Sequence, residues 1–269
     1  MLLLISILVF ILGAVIGSFL SVVIYRTQHR DKSIVFSRSI CPHCKKKLKW
    51  NYLIPLFSWL FLGGKCGYCG KKISLHYMAL ELVTGLSFLA LFLNYNFVEI
   101  TSNFLFLIDS QIFPVFFFYL VEIVFLILIF FYDLMYKEIP DRFSIPAAAI
   151  ALVGSPLIIG LPVTNVLIAG GAIALFFLLQ FIVSRGTWIG GGDIRLGLLM
   201  GFLLGLEHGV LALILAYFIG SVVSILLLIS KKATRKTAIP FGPFLVIGVL
   251  IALFYGTPIL EGYKNLSLF

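Results

Sequence analysis

The sequence predicts an all-α membrane fold, a bundle of about eight transmembrane helices carrying a small four-cysteine loop domain, and three observations lead there. Of 269 residues, 61% are hydrophobic and 12% charged, with a mean hydropathy of +1.14, which exceeds what a water-soluble chain of this length can hide from solvent. Apolar runs recur along nearly the whole length, long enough to cross a hydrocarbon core of about 30 Å, which takes roughly 17–25 helical residues. The runs are continuous, whereas barrel strands would alternate in segments of about ten residues.

The first run, 2–25, has no basic residue ahead of it and a basic flank behind it, so it reads as a retained helix and not as a cleaved signal. Residues 26–76 break the hydrophobic pattern and hold all four cysteines. Further spans are expected at 77–94, 113–132, 145–161, 164–184, 194–206, 209–229 and 241–259, the sixth of the eight being short. The expected division is therefore a first helix (1–25), a cysteine-loop domain (26–76) and a transmembrane bundle (77–269). Within the loop domain, Leu53 to Leu62 is apolar but too short to span, which suits a place in the interface or against the bundle. Loop 95–112, with Glu99, Asp109 and the apolar Phe104, Leu105 and Phe106, reads as a re-entrant or surface-lying cap. There is no long internal repeat and no Gly/Ser linker.

Net charge is +9, and the placement of the basic residues matters more than their sum. Nineteen of twenty Lys and Arg fall in 26–72, in 137–142, at Arg185 and Arg195, and in 231–236, leaving only Lys264 elsewhere. These are the first, third, fifth and seventh loops of an eight-span count. The positive-inside rule assigns them to the cytoplasm and puts both termini outside, and it makes a lipid bilayer, not nucleic acid, the expected partner.

Cys41-Pro-His-Cys44 and Cys66-Gly-Tyr-Cys69 form two CxxC knuckles separated by twenty-one residues. Each knuckle can place two thiolates on one tetrahedral metal, with Pro42, Gly67 and Gly70 suited to the turns, and zinc is the natural ion. Four thiolates leave no open position, so the role expected of zinc is structural. Two disulfides are the competing reading, disfavoured in a reducing compartment. His43 and His76 are expected at the surface and not among the ligands.

A carboxylate at membrane depth costs about 2.5–3.5 kcal/mol on insertion scales and is a functional candidate by default. The candidates are Glu81, Glu122, Asp133, Glu138, Asp141, Asp193 and Glu207. Asp133 closes the apolar run from Val121 to Tyr132, and Ile139-Pro140 breaks the helix beyond it. Asp193 lies in Trp188-Ile-Gly-Gly-Gly-Asp-Ile-Arg-Leu196, on the same side of the membrane. Two carboxyls sharing a proton can hydrolyse a peptide without a metal or a nucleophilic side chain. Gly190, Gly191 and Gly192 would let a substrate strand come close. As alternatives, both aspartates cap helices or pair with Arg142 and Arg195, and the glycines serve helix packing.

With these residues in view, the chain resembles the bacterial prepilin peptidases, membrane aspartic proteases of the GxGD type. Gly17 to Arg26 resembles their first-helix signature, the CxxC pairs their cytoplasmic zinc loop, and Ile73 to Glu81 the entry to their second helix. Asp133 followed by Pro140-Asp141 is similar to their first catalytic motif, Gly190 to Leu196 to their GxGD motif, and Ile239 to Leu245 to their last-helix signature. Ser21 and Arg195 depart from the Asn and Lys usual there. The resemblance implies that Asp133 and Asp193 are the catalytic pair and Asp141 a neighbour. It implies as substrate a prepilin or competence pseudopilin with a short basic leader, a Gly before the scissile bond and an apolar helix after it, whose leader charge Glu81 or Glu138 would read. It also implies N-methylation of the new N-terminus with S-adenosylmethionine, a cofactor that no motif here independently specifies. An ion-coupled transporter, with Glu122 and the aspartates as an ion path, predicts inverted repeats that the sequence lacks. A noncatalytic pilus-assembly scaffold predicts that the aspartates are dispensable.

Overall fold

Hydrophobic runs of helical length, punctuated by proline, glycine and basic turns, set the order of elements in this computed structural model. It describes residues 2–29, 39–41, 43–95, 98–100, 106–232, 234 and 237–266, with the backbone path alone for 98–100 and 106–108. Pro42, Phe104, Leu105, Arg235 and Lys236 lie outside the described residues. The helices are α1 (Leu2–His29), the short α2 (Phe57–Phe61), α3 (Leu75–Asn94), α4 (Ile112–Tyr136), α5 (Asp141–Gly154), α6 (Val163–Ser184), α7 (Gly191–Ile229) and α8 (Gly242–Leu266). All but α2 are long and apolar enough to cross a membrane, α5 together with its π-helical continuation Ser155–Ile159, so seven spanning elements stand among the described residues. The protein is a multi-pass, predominantly α-helical membrane protein.

Two features go beyond the expected spans. Loop 95–112, expected as a re-entrant or surface-lying cap, contains an antiparallel strand pair, β1 (Val98–Ile100) on β2 (Phe106–Ile108). Val98, Ile100 and Ile108 are β-branched, which suits a pleated strand. The expected sixth and seventh spans are one run of helix with a single break, at Gly205 (φ 70°, ψ −174°). That backbone is nearly closed to residues bearing a Cβ. A Cβ on Gly209 would lie 3.7 Å from the Cα of Gly201, whereas a straight helix separates residues eight apart by about 12 Å. The chain therefore doubles back at Gly205 into two limbs, 191–204 and 206–229, which accounts for two of the eight expected spans falling within one element. Asn165 Oδ1 accepts the Leu206 N–H freed at the break, at 2.8 Å.

The chain forms two compact units, Met1–Ile127 and Leu128–Phe269. In the first, α1 packs on α3, and a Cβ at Gly17 would stand 2.8 Å from the Cα of Glu81, so the two backbones nearly touch. In the second, α7 packs against α5, α6 and α8 around Phe177, Leu196, Leu199, Met200, Leu203 and Val249, all essentially without solvent contact.

Candidate active site and metal centre

Asp133 lies in the last turn of α4, where Lys137 in the left-handed region (φ 57°) and Ile139-Pro140 end the helix before α5 begins at Asp141. Asp193 is in the first turn of α7. Its N–H donates to the Gly190 carbonyl at 3.2 Å, and its Oδ2 accepts the Gly190 N–H at 3.0 Å. The expected helix-capping role is thus real for Asp193 and uses only part of its hydrogen-bonding capacity. Asp133 is 5% and Asp193 8% exposed, and the two carboxylates are close enough to act on each other electrostatically.

Arg195 turns away from both. Its guanidinium pairs with Asp141 at the start of α5, and its Nε donates to the Gly191 carbonyl at 3.3 Å. Among the described residues no Lys or Arg forms an ion pair with Asp133 or Asp193. The alternative in which arginines neutralise the aspartates therefore has no support in the geometry, and Asp141, largely exposed, stands outside the pair.

Gly242, the first residue of α8, takes a part that its motif alone did not reveal. Its N–H donates to the Asp133 carboxylate, and a Cβ there would lie 2.6 Å from Asp133 Oδ2. Each aspartate is thus held by a backbone N–H at a helix N-terminus, Asp133 by α8 and Asp193 by α7. Ile139 fills the space between the two elements, since a Cβ at Gly192 would fall 2.7 Å from its Cβ. Gly192 is accordingly a packing glycine. A Cβ on Gly190 or Gly191 would meet nothing closer than 3.7 Å. Tyr217, on the returning limb of α7, lies within electrostatic reach of Asp193, packs its ring at a tilt against Phe241 with centroids 4.9 Å apart, and donates to Gln180 Oε1 at 3.1 Å.

Two other acidic candidates fall elsewhere. Glu122 in α4 is fully buried, and neither carboxylate oxygen has a hydrogen-bond partner among the described residues. Glu81 is buried and accepts the Leu56 N–H at 2.7 Å, so of the two residues assigned to leader charge only Glu138 is exposed.

The sulfurs of Cys41, Cys44, Cys66 and Cys69 all lie within 4.8 Å of one another, and the cysteines are free. Four thiolates about 2.3 Å from a tetrahedral zinc would stand nearly 4 Å apart, so the cluster fits one ion. The two knuckles repeat one backbone pattern. Lys45 N–H donates to Cys41 O as Gly70 N–H does to Cys66 O, and the bridge Ile40 to Lys47 is matched by Lys65 to Lys72. Burial pushes the Cys41 thiol up to about 11, while at Cys66 the upward effect of burial is outweighed by hydrogen bonds from the Cys69 and Tyr68 backbone, bringing it to about 7. His43 and His76 are exposed and outside the cluster.

Comparison with known proteins matches the same two regions. The bacterial peptidase A24 N-terminal domain model matches residues 11–95, and the type IV leader peptidase family model matches residues 120–225. The chain is 32% identical over 265 residues to a prepilin leader peptidase/N-methyltransferase of Bacillus subtilis (strain 168), covering 96% of this chain and 98% of that protein. Proteins of the same description from Xanthomonas campestris pv. campestris (32% over 284 residues, 95% and 93% covered) and Legionella pneumophila (30% over 274 residues, 92% and 90% covered) are similar to it as well. No solved structure matches.

Proposed function

The chain belongs to the type IV leader peptidase family, and from that premise we propose that it removes the basic leader of type IV pilin-like or competence pseudopilin precursors, with Asp133 and Asp193 as the catalytic pair. The observation that carries this is the pairing of two buried carboxylates, each held by a helix N-terminal N–H, with no basic residue bound to either among the described residues. One carboxylate takes a proton from water as the oxygen attacks the scissile carbonyl. The other, protonated, donates to the carbonyl oxygen, and collapse of the adduct passes a proton to the leaving amine. The open approach beside Gly190 and Gly191 supports an extended substrate strand with a glycine ahead of the scissile bond.

The basic loops support a site at the cytoplasmic face of a bacterial inner membrane, with the cysteine loop in the cytoplasm and both termini outside. The domain division read from the sequence, 1–25, 26–76 and 77–269, belongs to the same reading. The first limb of α7 is about 21 Å long, shorter than a hydrocarbon core of about 30 Å. That supports a substrate cut at the base of its apolar helix. Cys41, Cys44, Cys66 and Cys69 would hold a structural zinc that closes a loop too small to build its own core.

The relatives named above are N-methyltransferases as well, and the same activity here would use S-adenosylmethionine, which supplies the methyl group when bound. A cavity of about 590 Å³ in the first unit, lined by aromatic, acidic and basic side chains, fits a molecule of that size. Coexpression with a prepilin-type substrate tests the peptidase. Leader removal by the wild type and its loss in Asp133→Asn and Asp193→Asn is the expected result, and removal that survives both substitutions would overturn the reading. A mass gain of roughly 14 Da on the mature N-terminus tests methylation.

A further inference from the structure

Residues 39–76 carry seven lysines and no acidic residue, and a short apolar segment lies among them, bracketed by Lys49 and Lys65. Its helix, α2, has two unlike sides. Ser58 and Trp59 turn inward and line the cavity of this unit, while Phe57, Leu60 and Phe61, at the i, i+3 and i+4 spacing of one helix face, are exposed. Phe61 is 86% and the preceding Trp50 79% exposed. The Phe57 and Phe61 rings stack with centroids 6.4 Å apart, so the bare face is continuous. A contiguous apolar face of this kind marks a surface that something covers.

The position of α2 is held by a strained turn. Leu56 has φ 64° and ψ −53°, and the Phe57 N–H donates across it to the Pro55 carbonyl at 2.6 Å, a γ-turn of the positive-φ kind that residues with a side chain rarely adopt. Such a conformation persists where its surroundings fix it. Here they do, because the Leu56 N–H donates to the buried Glu81 carboxylate of α3 at 2.7 Å. At the other end Gly63 (φ 58°) and Gly64 (φ 67°) turn the chain back, and the Ile73 N–H donates to the Gly64 carbonyl at 2.7 Å. The height of α2 along α3 is therefore set.

That height can be read from α1, which crosses α3 with Gly13 against Gly85 and Gly17 against Glu81. Counted from Leu2, about twenty helical residues cover a hydrocarbon core of about 30 Å and end at Ser21, which puts Gly17 and Glu81 roughly 6 Å inside its edge. Val15 and Phe19, exposed apolar residues of α1, bracket the same level. The head of α2 lies within one glutamate side chain of it.

We infer that the segment from Trp50 to Phe61 is an interfacial membrane anchor: Phe57, Leu60 and Phe61 are seated among the upper acyl chains of the leaflet at the basic end of α1, and the lysines of the two knuckles face anionic headgroups. A depth of about 5–10 Å is where the apolar face of an interfacial segment lies. Tryptophan favours the headgroup boundary, which suits Trp50. Charge selects the occupant. Lys45, Lys46, Lys47, Lys49, Lys65 and Lys72 are exposed with no acidic neighbour in the segment, which suits an anionic lipid surface and opposes a precursor with a basic leader. Cys66 follows Gly64 by two residues, so the anchor also holds the metal knuckles against the membrane surface.

The test uses the full chain in lipid nanodiscs. Phe61→Trp is made in a Trp50→Phe, Trp188→Phe background, which leaves only the inward-turned Trp59 as a second emitter. Emission of the Phe61→Trp protein is expected to be quenched at least about twofold more by lipid brominated near the top of the acyl chain than by acrylamide in the water. Strong acrylamide quenching without lipid quenching would overturn the anchor. Shielding from acrylamide that appears only when a precursor is added, again without lipid quenching, would show a protein-docking face and overturn it equally. In the unaltered chain, acetylation of the knuckle lysines by a water-soluble reagent is expected to be about threefold slower in phosphatidylglycerol than in phosphatidylcholine nanodiscs, read by mass spectrometry. Equal rates in the two lipids would overturn the headgroup contact.

Discussion

Asp133 on α4 and Asp193 on α7 lie sixty positions apart in the sequence, and the contact that orients Asp133 comes from a third helix. Gly242→Ala would place a methyl 2.6 Å from Asp133 Oδ2, so a loss of cleavage of about a hundredfold or more is expected in a chain that still folds, measurable as kcat on a purified precursor. Asp141→Asn is expected to leave kcat within about threefold, because its pairing with Arg195 is largely exposed and such pairs contribute about 0–1 kcal/mol. A large loss in that variant would place Asp141 in the chemistry. Both aspartates were legible from the sequence as carboxylates at helix ends, and the family resemblance chose them over Asp141. Gly242 was visible only as part of a motif, because nothing local in Ile239-Pro-Phe-Gly-Pro says which side chain its N–H will meet. The burial of Glu81 was not legible for the same reason: its partners Leu56 and Ser18 are remote in sequence.

The elements were read well where hydrophobic length decides and less well where a single residue does. The spans expected at 2–25, 77–94, 113–132 and 164–184 each coincide with a helix to within a few residues. The hairpin at Gly205 was anticipated as a boundary between two spans, but helical hydrogen bonding runs up to it on both sides and the reversal rests on one glycine. Gly205→Ala is expected to destabilise the fold by about 1–3 kcal/mol through its positive φ. Asn165→Ala would leave the Leu206 N–H without its acceptor, at a cost of a similar 1–3 kcal/mol or so. Thermal unfolding in nanodiscs checks both, and unchanged midpoints would show that the turn is held by lipid contacts alone. The β1–β2 hairpin was not legible, since three-residue strands carry too short a pattern to distinguish from an apolar loop.

At the scale of the molecule, one unit holds the cysteine cluster and the cavity, and the other holds the aspartate pair. Chelation is accordingly expected to release about one zinc per chain and to abolish S-adenosylmethionine binding while leaving much of the leader cleavage, measured by metal analysis alongside both assays. Equal loss of the two activities would contradict that separation. The bundle, its charge asymmetry and the cysteine knuckles were all legible because hydropathy, basic residues and CxxC spacing are local properties of sequence. The cavity was not, because it depends on how closely α1 and α3 cross at Gly17. The central claim is that Asp133 and Asp193 act as one catalytic unit, and kcat/KM for Asp133→Asn, Asp193→Asn and the double variant tests it most directly. Groups that act as a unit are non-additive, so each single substitution should abolish nearly all cleavage, by about a thousandfold or more, and the double should be no worse than either single. Cleavage persisting in either single variant, or losses that multiply in the double, would contradict it.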